Sequence, residues 1–233
     1  MEFKDGNTGQ NNTYNESNLG EGSQYISKVD NLTIINGHKG SVQSASPEGI
    51  YQHFITHDAV GVPQLISKAR RHIVLHAAFY PKYGVDDQGE YVLRAMRQNP
   101  NLRLTAIFTD VSHVEWADEF ARTLRTYFTA ELFASQIEAS KQLFAHCLKE
   151  FGPQRVHIYD TSRLPLFPII LIDDTIVVGH YAHSQVKPPH GLWFTIKHPK
   201  VPSMYENLLA GSAPDCETEE ERAILRYVEE LKL

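Results

Sequence analysis

Twelve histidines in 233 residues are many for a chain of this length, and their spacing decides what chemistry they can do. His72 and His76 lie four apart in the run His-Ile-Val-Leu-His, which reads as a strand. Side chains alternate along a strand, so both imidazoles belong to one face. His180, His183 and His190 gather in a loop after a later apolar stretch. Neutral imidazoles so grouped can hold zinc with an open position for water, or exchange protons near neutral pH. An H-x-x-H with a distant histidine is a loose pattern, and the same residues read as ordinary polar side chains; no metal and no cofactor is expected. Asp110 and Asp160 follow two further predicted strands, as His76 ends another. Open α/β sheets bind ligands at the C-terminal ends of their strands. His76, Asp110, Asp160, His180 and His183 therefore form the candidate catalytic pocket, although an aspartate after a strand also serves as a turn cap. Neither G-x-G-x-x-G after a strand nor a P-loop sequence occurs, so nucleotide binding has no motif behind it.

Positioning these groups requires alternating strands and helices. Strands are predicted at 72–80, 102–108, 155–159, 167–172, 175–178 and 192–196. Ser46-Pro47 suits a helix N-cap and first turn, with Ile50, Tyr51, Phe54 and Ile55 at helical spacing. Further helices are expected at 62–70, around 91–96, as one long region over 114–151, and at 201–210. Gly152-Pro153 ends the long one. Thr218 with Glu221 three residues on forms a capping box for a last helix, whose stripe is Ile224, Leu225, Val228 and Leu231. The alternation predicts a layered α/β domain with a mostly parallel sheet. The short Asp173-Asp174 turn predicts an antiparallel hairpin at its C-terminal side.

Composition narrows the class. The net charge of -6 leaves no general basic footprint, so nucleic acid is not expected as a partner. Cys147 and Cys216 are too few and too far apart for a disulfide framework. Met1-Glu-Phe-Lys-Asp-Gly is not the start of an ordinary signal peptide, and no apolar run is long enough to span a membrane. A cytoplasmic protein is expected. Residues 1–45 are rich in Asn, Gly, Ser and Thr; 46–211 carry the α/β pattern; 212–233 form an acidic C-terminal helix.

Residues Leu164 to His183 run as apolar strand, two-acid turn, second apolar strand, then Gly179 and two histidines. This resembles the signature of the phospholipase D-like superfamily, in which H-x-K-x-x-x-x-D turns and returns to G-S-x-x-N. The resemblance implies a phospholipase D-like half-unit fold over about residues 60–211. Asp173 fits the acidic position, but Leu166 stands for the histidine nucleophile and Pro168 for the lysine. His180 and His183 replace the serine and asparagine. The implied role is regulatory or signalling, on a catalytically degenerate domain. The alternatives are a phosphodiesterase-like hydrolase using other histidines, and a Rossmann-like nucleotide-binding domain. Near the N-terminus, Tyr25 to Ile35 is β-prone and Asn-containing, a combination able to stack. It resembles the amyloid-type signalling motifs of some fungal proteins, which implies self-association or a protein partner through residues 7–36.

Overall fold

Ile169-Ile-Leu-Ile172 (β5) is apolar on both faces, and the fold is organised around it. In the computed structural model, which describes residues 50–76, 88–112, 114–182, 184 and 190–232, all four of its side chains are buried. A strand with no polar face must be covered on both sides. It is the middle strand of a seven-stranded sheet with the order β1-β7-β6-β5-β2-β3-β4. The other strands are β1 (Ile50–Phe54), β2 (His72–His76), β3 (Arg103–Thr109), β4 (Val156–Thr161), β6 (Thr175–Val178) and β7 (Trp193–Lys197).

The sheet corrects the expectation of mostly parallel strands. β2, β3 and β4 are parallel, but β5 joins β2 antiparallel, and β6, β7 and β1 continue antiparallel. The sheet is therefore mixed. The hairpin expected at Asp173-Asp174 is present, with Ile172 opposite Thr175. A second correction concerns Ile50 to Phe54, read as helical and found as the edge strand β1 against β7. Pairing with β7 overrides the local spacing, and Tyr51 stays half-exposed while Phe54 packs on the core.

Seven helices fill the two faces among the described residues: α1 (His57–Val60), α2 (Val62–Lys68), α3 (Gln88–Gln98), α4 (Ala117–Leu124), α5 (Ala130–Phe151), α6 (Val201–Leu209) and α7 (Glu219–Glu229). The long helix expected over 114–151 is two. Its break has a cause: Thr129 is extended and its side chain accepts from Leu132 N, while Asp118 of α4 accepts from Ala130 N at 2.9 Å. Both acceptors satisfy first-turn N–H groups that a continuous helix would have used internally. Gly152 at φ 79° ends α5.

Residues of β5 alternate between two cores. Ile170 and Ile172 join Ile66, Met96, Phe120, Phe133 and Phe144 of α2 to α5. Ile169 and Leu171 join Met204, Tyr205, Ile224 and Val228 of α6 and α7. The capping box of α7 is formed as expected, with Thr218 accepting from Glu221 N at 3.1 Å. Glu221 is buried, and its carboxylate also meets Lys200 Nζ at 2.9 Å, which holds its pKa below the usual carboxylate range.

Candidate functional site

The C-terminal ends of β2, β3 and β4 carry His76, Asp110 and Asp160. Register separates them. His76 is level with Ile107 and shares its face, the side of α6 and α7. Asp160 is level with Phe108 and shares the opposite face, the side of α5. The single pocket expected for these residues is therefore divided by the sheet itself. His76 is 3% exposed, and its Nδ1 lies 3.3 Å from the Ile107 carbonyl oxygen. Burial holds its pKa below the ordinary histidine value, against the pull of the Ile107 carbonyl and Glu230. An imidazole sealed this way is a core group that stays neutral.

Asp110 borders a different space, and Asp160 is linked to it only through Lys141. An open cavity of about 630 Å³ lies between the end of β3 and helices α4 and α5. Among the described residues its wall holds five carboxylates, Asp110, Glu115, Asp118, Glu131 and Glu138, and one amine, Lys141. Sequence reasoning missed Lys141, one more polar residue in a long helix. Its Nζ meets Asp160 Oδ1 at 2.7 Å and sits 5.6 Å over the Phe108 ring. Asp110 is folded into its own turn, accepting from Ser112 N at 2.9 Å. Glu131 is held below the usual carboxylate range by the Thr129 side chain and its own backbone N–H. A cavity of this charge repels anions.

The strand-turn-strand stretch has been built for packing. Pro168, at the lysine position of the signature, is buried, and its carbonyl accepts from Gly179 N at 3.0 Å. A Cβ on Gly179 would stand 2.9 Å from Pro168 Cγ and 2.9 Å from the Trp193 ring, so the glycine is required by close approach. Leu166, at the histidine position, is 57% exposed and its N–H donates to Glu230 Oε1 at 3.0 Å. Arg163 meets the same carboxylate at 3.7 Å and donates to Lys232 O. Asp173 accepts from Arg70 N (2.7 Å), Arg71 N (2.7 Å) and His72 N (3.0 Å). It sits at φ 50°, a left-handed conformation that aspartate tolerates. Its carboxylate locks the entry of β2 to the hairpin and faces away from the strand ends that carry His76. His180 and His190 are exposed, and His183 lies outside the described residues. Among the described residues, no three side chains suited to a metal converge.

No protein-family model matches the sequence, and no curated protein matches it. Several solved structures are similar to it. TrmBL2, an archaeal chromatin protein described for its mode of DNA binding, gives a TM-score of 0.40 at 10% identity over 72% of this chain and 52% of its own. Phosphatidylserine synthase of Haemophilus influenzae gives 0.40 at 10% identity over 76% and 43% respectively. Nuc, a phospholipase D family member of Salmonella typhimurium, gives 0.41 at 12% identity over 70% and 93%. The chain thus spans about half the length of the first two and nearly all of the third. No activity transfers from them at such identity.

Proposed function

We propose that the α/β domain is a phospholipase D-like module that has lost phosphodiester chemistry, in a chain that acts in intracellular regulation or signalling. One observation carries the reading: Pro168 stands at the signature's cation position, buried, and closes on Gly179, which the Trp193 ring also crowds. A phosphoryl-transfer site needs a nucleophile and a cation to meet the developing charge. Leucine supplies no nucleophile, proline no cation, and the nearby cavity is lined by carboxylates. Purified full-length protein should not hydrolyse bis(p-nitrophenyl) phosphate above buffer. Turnover that disappears in His180→Ala would overturn the proposal and make the chain a hydrolase using non-standard histidines.

The N-terminal segment supplies the assembly function in this reading. Its support is the β-prone, Asn-containing run from Tyr25 to Ile35, free of proline. A peptide of residues 7–36 should form β-rich fibrils, and a charge at Leu32 or Ile34 should block them. A peptide that stays monomeric at high concentration removes self-association from the proposal.

A further inference from the structure

At the opposite end of the same parallel strands, arginines converge. Arg70 and Arg71 immediately precede β2, and Arg103 opens β3. β2 and β3 are parallel neighbours with His72 level with Arg103, so residues at their starts must share one edge of the sheet. They border a pocket of about 360 Å³ together with His72, Arg155 and Glu206.

Not every charge there is free. Arg155 is structural: its Nη2 donates to Met96 O at 2.6 Å and to Asn99 O at 2.7 Å. These carbonyls lie at the negative end of α3, which a guanidinium complements. His72, 4% exposed, places Nε2 3.2 Å from Glu206 Oε1. The guanidiniums of Arg70, Arg71 and Arg103 make no ion pair among the described residues. In a chain of net charge -6, three cations gathered on one concave edge call for an anion.

The backbone beneath them is fixed. Asp173 takes the N–H groups of Arg70 and Arg71, Asn99 Nδ2 donates to Arg70 O at 2.8 Å, and Arg103 N donates to Arg71 O at 2.9 Å. The cations are therefore mounted on a rigid frame, which lowers the ordering cost of binding. Guanidinium forks match tetrahedral phosphate oxygens in pairs.

We propose that this pocket binds the phosphate group of a small phosphomonoester, through Arg70, Arg71 and Arg103. The site lies at the Asp173 turn of the hairpin, the end opposite Leu166 and Pro168, and is independent of any catalysis there. Single-stranded nucleic acid is the poorer fit, because among the described residues His72 is the only aromatic ring in the pocket wall, and it is buried, leaving no face for base stacking.

Titration calorimetry on the full chain with inorganic phosphate and with adenosine monophosphate tests this. Saturable binding is expected, weakening as salt rises. Arg71→Ala and Arg103→Ala should each weaken it about tenfold, and Arg103→Lys should fail to restore it fully. These side chains are exposed and the backbone N–H groups remain, so the melting temperature should hold. Glu206→Gln removes the opposing carboxylate and should tighten binding, a gain that a misfolded variant cannot give. Flotation with phosphatidylcholine vesicles, with and without phosphatidic acid, separates the sources. Phosphatidic acid-dependent flotation without adenosine monophosphate binding assigns the phosphomonoester to a lipid headgroup. Absence of saturable binding by every phosphate probe, equal binding by the alanine variants, or binding of an oligonucleotide alone would overturn the proposal.

Discussion

At the C-terminal ends of β2, β3 and β4 the chain gathers carboxylates; at the N-terminal ends of β2 and β3 it gathers guanidiniums. The first end holds the larger cavity, yet Lys141, the one amine in its wall among the described residues, is engaged by Asp160. The second end holds a smaller pocket whose cations lack carboxylate partners among the described residues. Topology favours the C-terminal edge for ligands in open α/β sheets. That rule rests on sheets that are mostly parallel, with helix N-termini at the binding edge, whereas only three of the seven described strands here are mutually parallel. For an anionic ligand, the placed charges outweigh the topological preference.

The largest effect should come from Asp173, whose carboxylate holds together the frame under the arginines. Asp173→Ala leaves three N–H groups without their acceptor and puts alanine at a positive φ. A loss of about 3 kcal/mol is expected, since hydrogen bonds to a charged acceptor are among the stronger ones. Asp173→Asn keeps one acceptor oxygen and should recover part of it. Urea unfolding measures both. Phosphate binding should weaken in Asp173→Ala under conditions where the fold persists, while the cavity at the other end is unaffected. A loss below about 0.5 kcal/mol, the range of an ordinary surface substitution, would show that the hairpin does not hold the arginine edge in place.

How far the sequence revealed this arrangement differs from residue to residue. The hairpin from Ile169 to Val178 was legible because two apolar faces around two acids admit few other structures. The capping box at Thr218 and Glu221 was legible because its chemistry is local. Strand direction was not: period two marks a strand but says nothing of which neighbour it pairs with, and β5 entering antiparallel beside β2 made the sheet mixed. β1 was misread because Ile50, Tyr51, Phe54 and Ile55 satisfy helical spacing, and pairing with β7 decided otherwise. The candidate pocket depended on a phase of one residue. Ile107 and Phe108 point to opposite faces, and their partners His76 and Asp160 follow them. The arginine edge did have a signal. Basic residues stand immediately before β2 and at the start of β3, and parallel pairing then places them side by side.

The smallest effect concerns His76 and tests whether its side of the C-terminal edge is sealed. Burial lowers its pKa from the ordinary 6.5, with Arg163 adding to that shift, while the Ile107 carbonyl and Glu230 oppose it. In the unfolded chain the imidazole takes a proton at its ordinary value; in the native state it resists. Between the two values the unfolded state binds more protons, so stability rises with pH there. This contribution is complete above about pH 6.5 and is lost as pH falls from there through the depressed native value. Glu150 and Glu221 are held below the usual carboxylate range by Arg97 and Lys200, so their losses come at lower pH. The interval from about pH 5 to 6.5 thus reports mainly on histidines. Urea midpoints of the wild-type chain and His76→Leu should be compared across it. The variant removes the imidazole donor to the Ile107 carbonyl and shifts in level, but the reading is the slope, which should be shallower than in the wild type. An unchanged slope would mean that His76 takes its proton equally in both states. The imidazole would then be open to solvent, and the division between a sealed face and a charged cavity would fail.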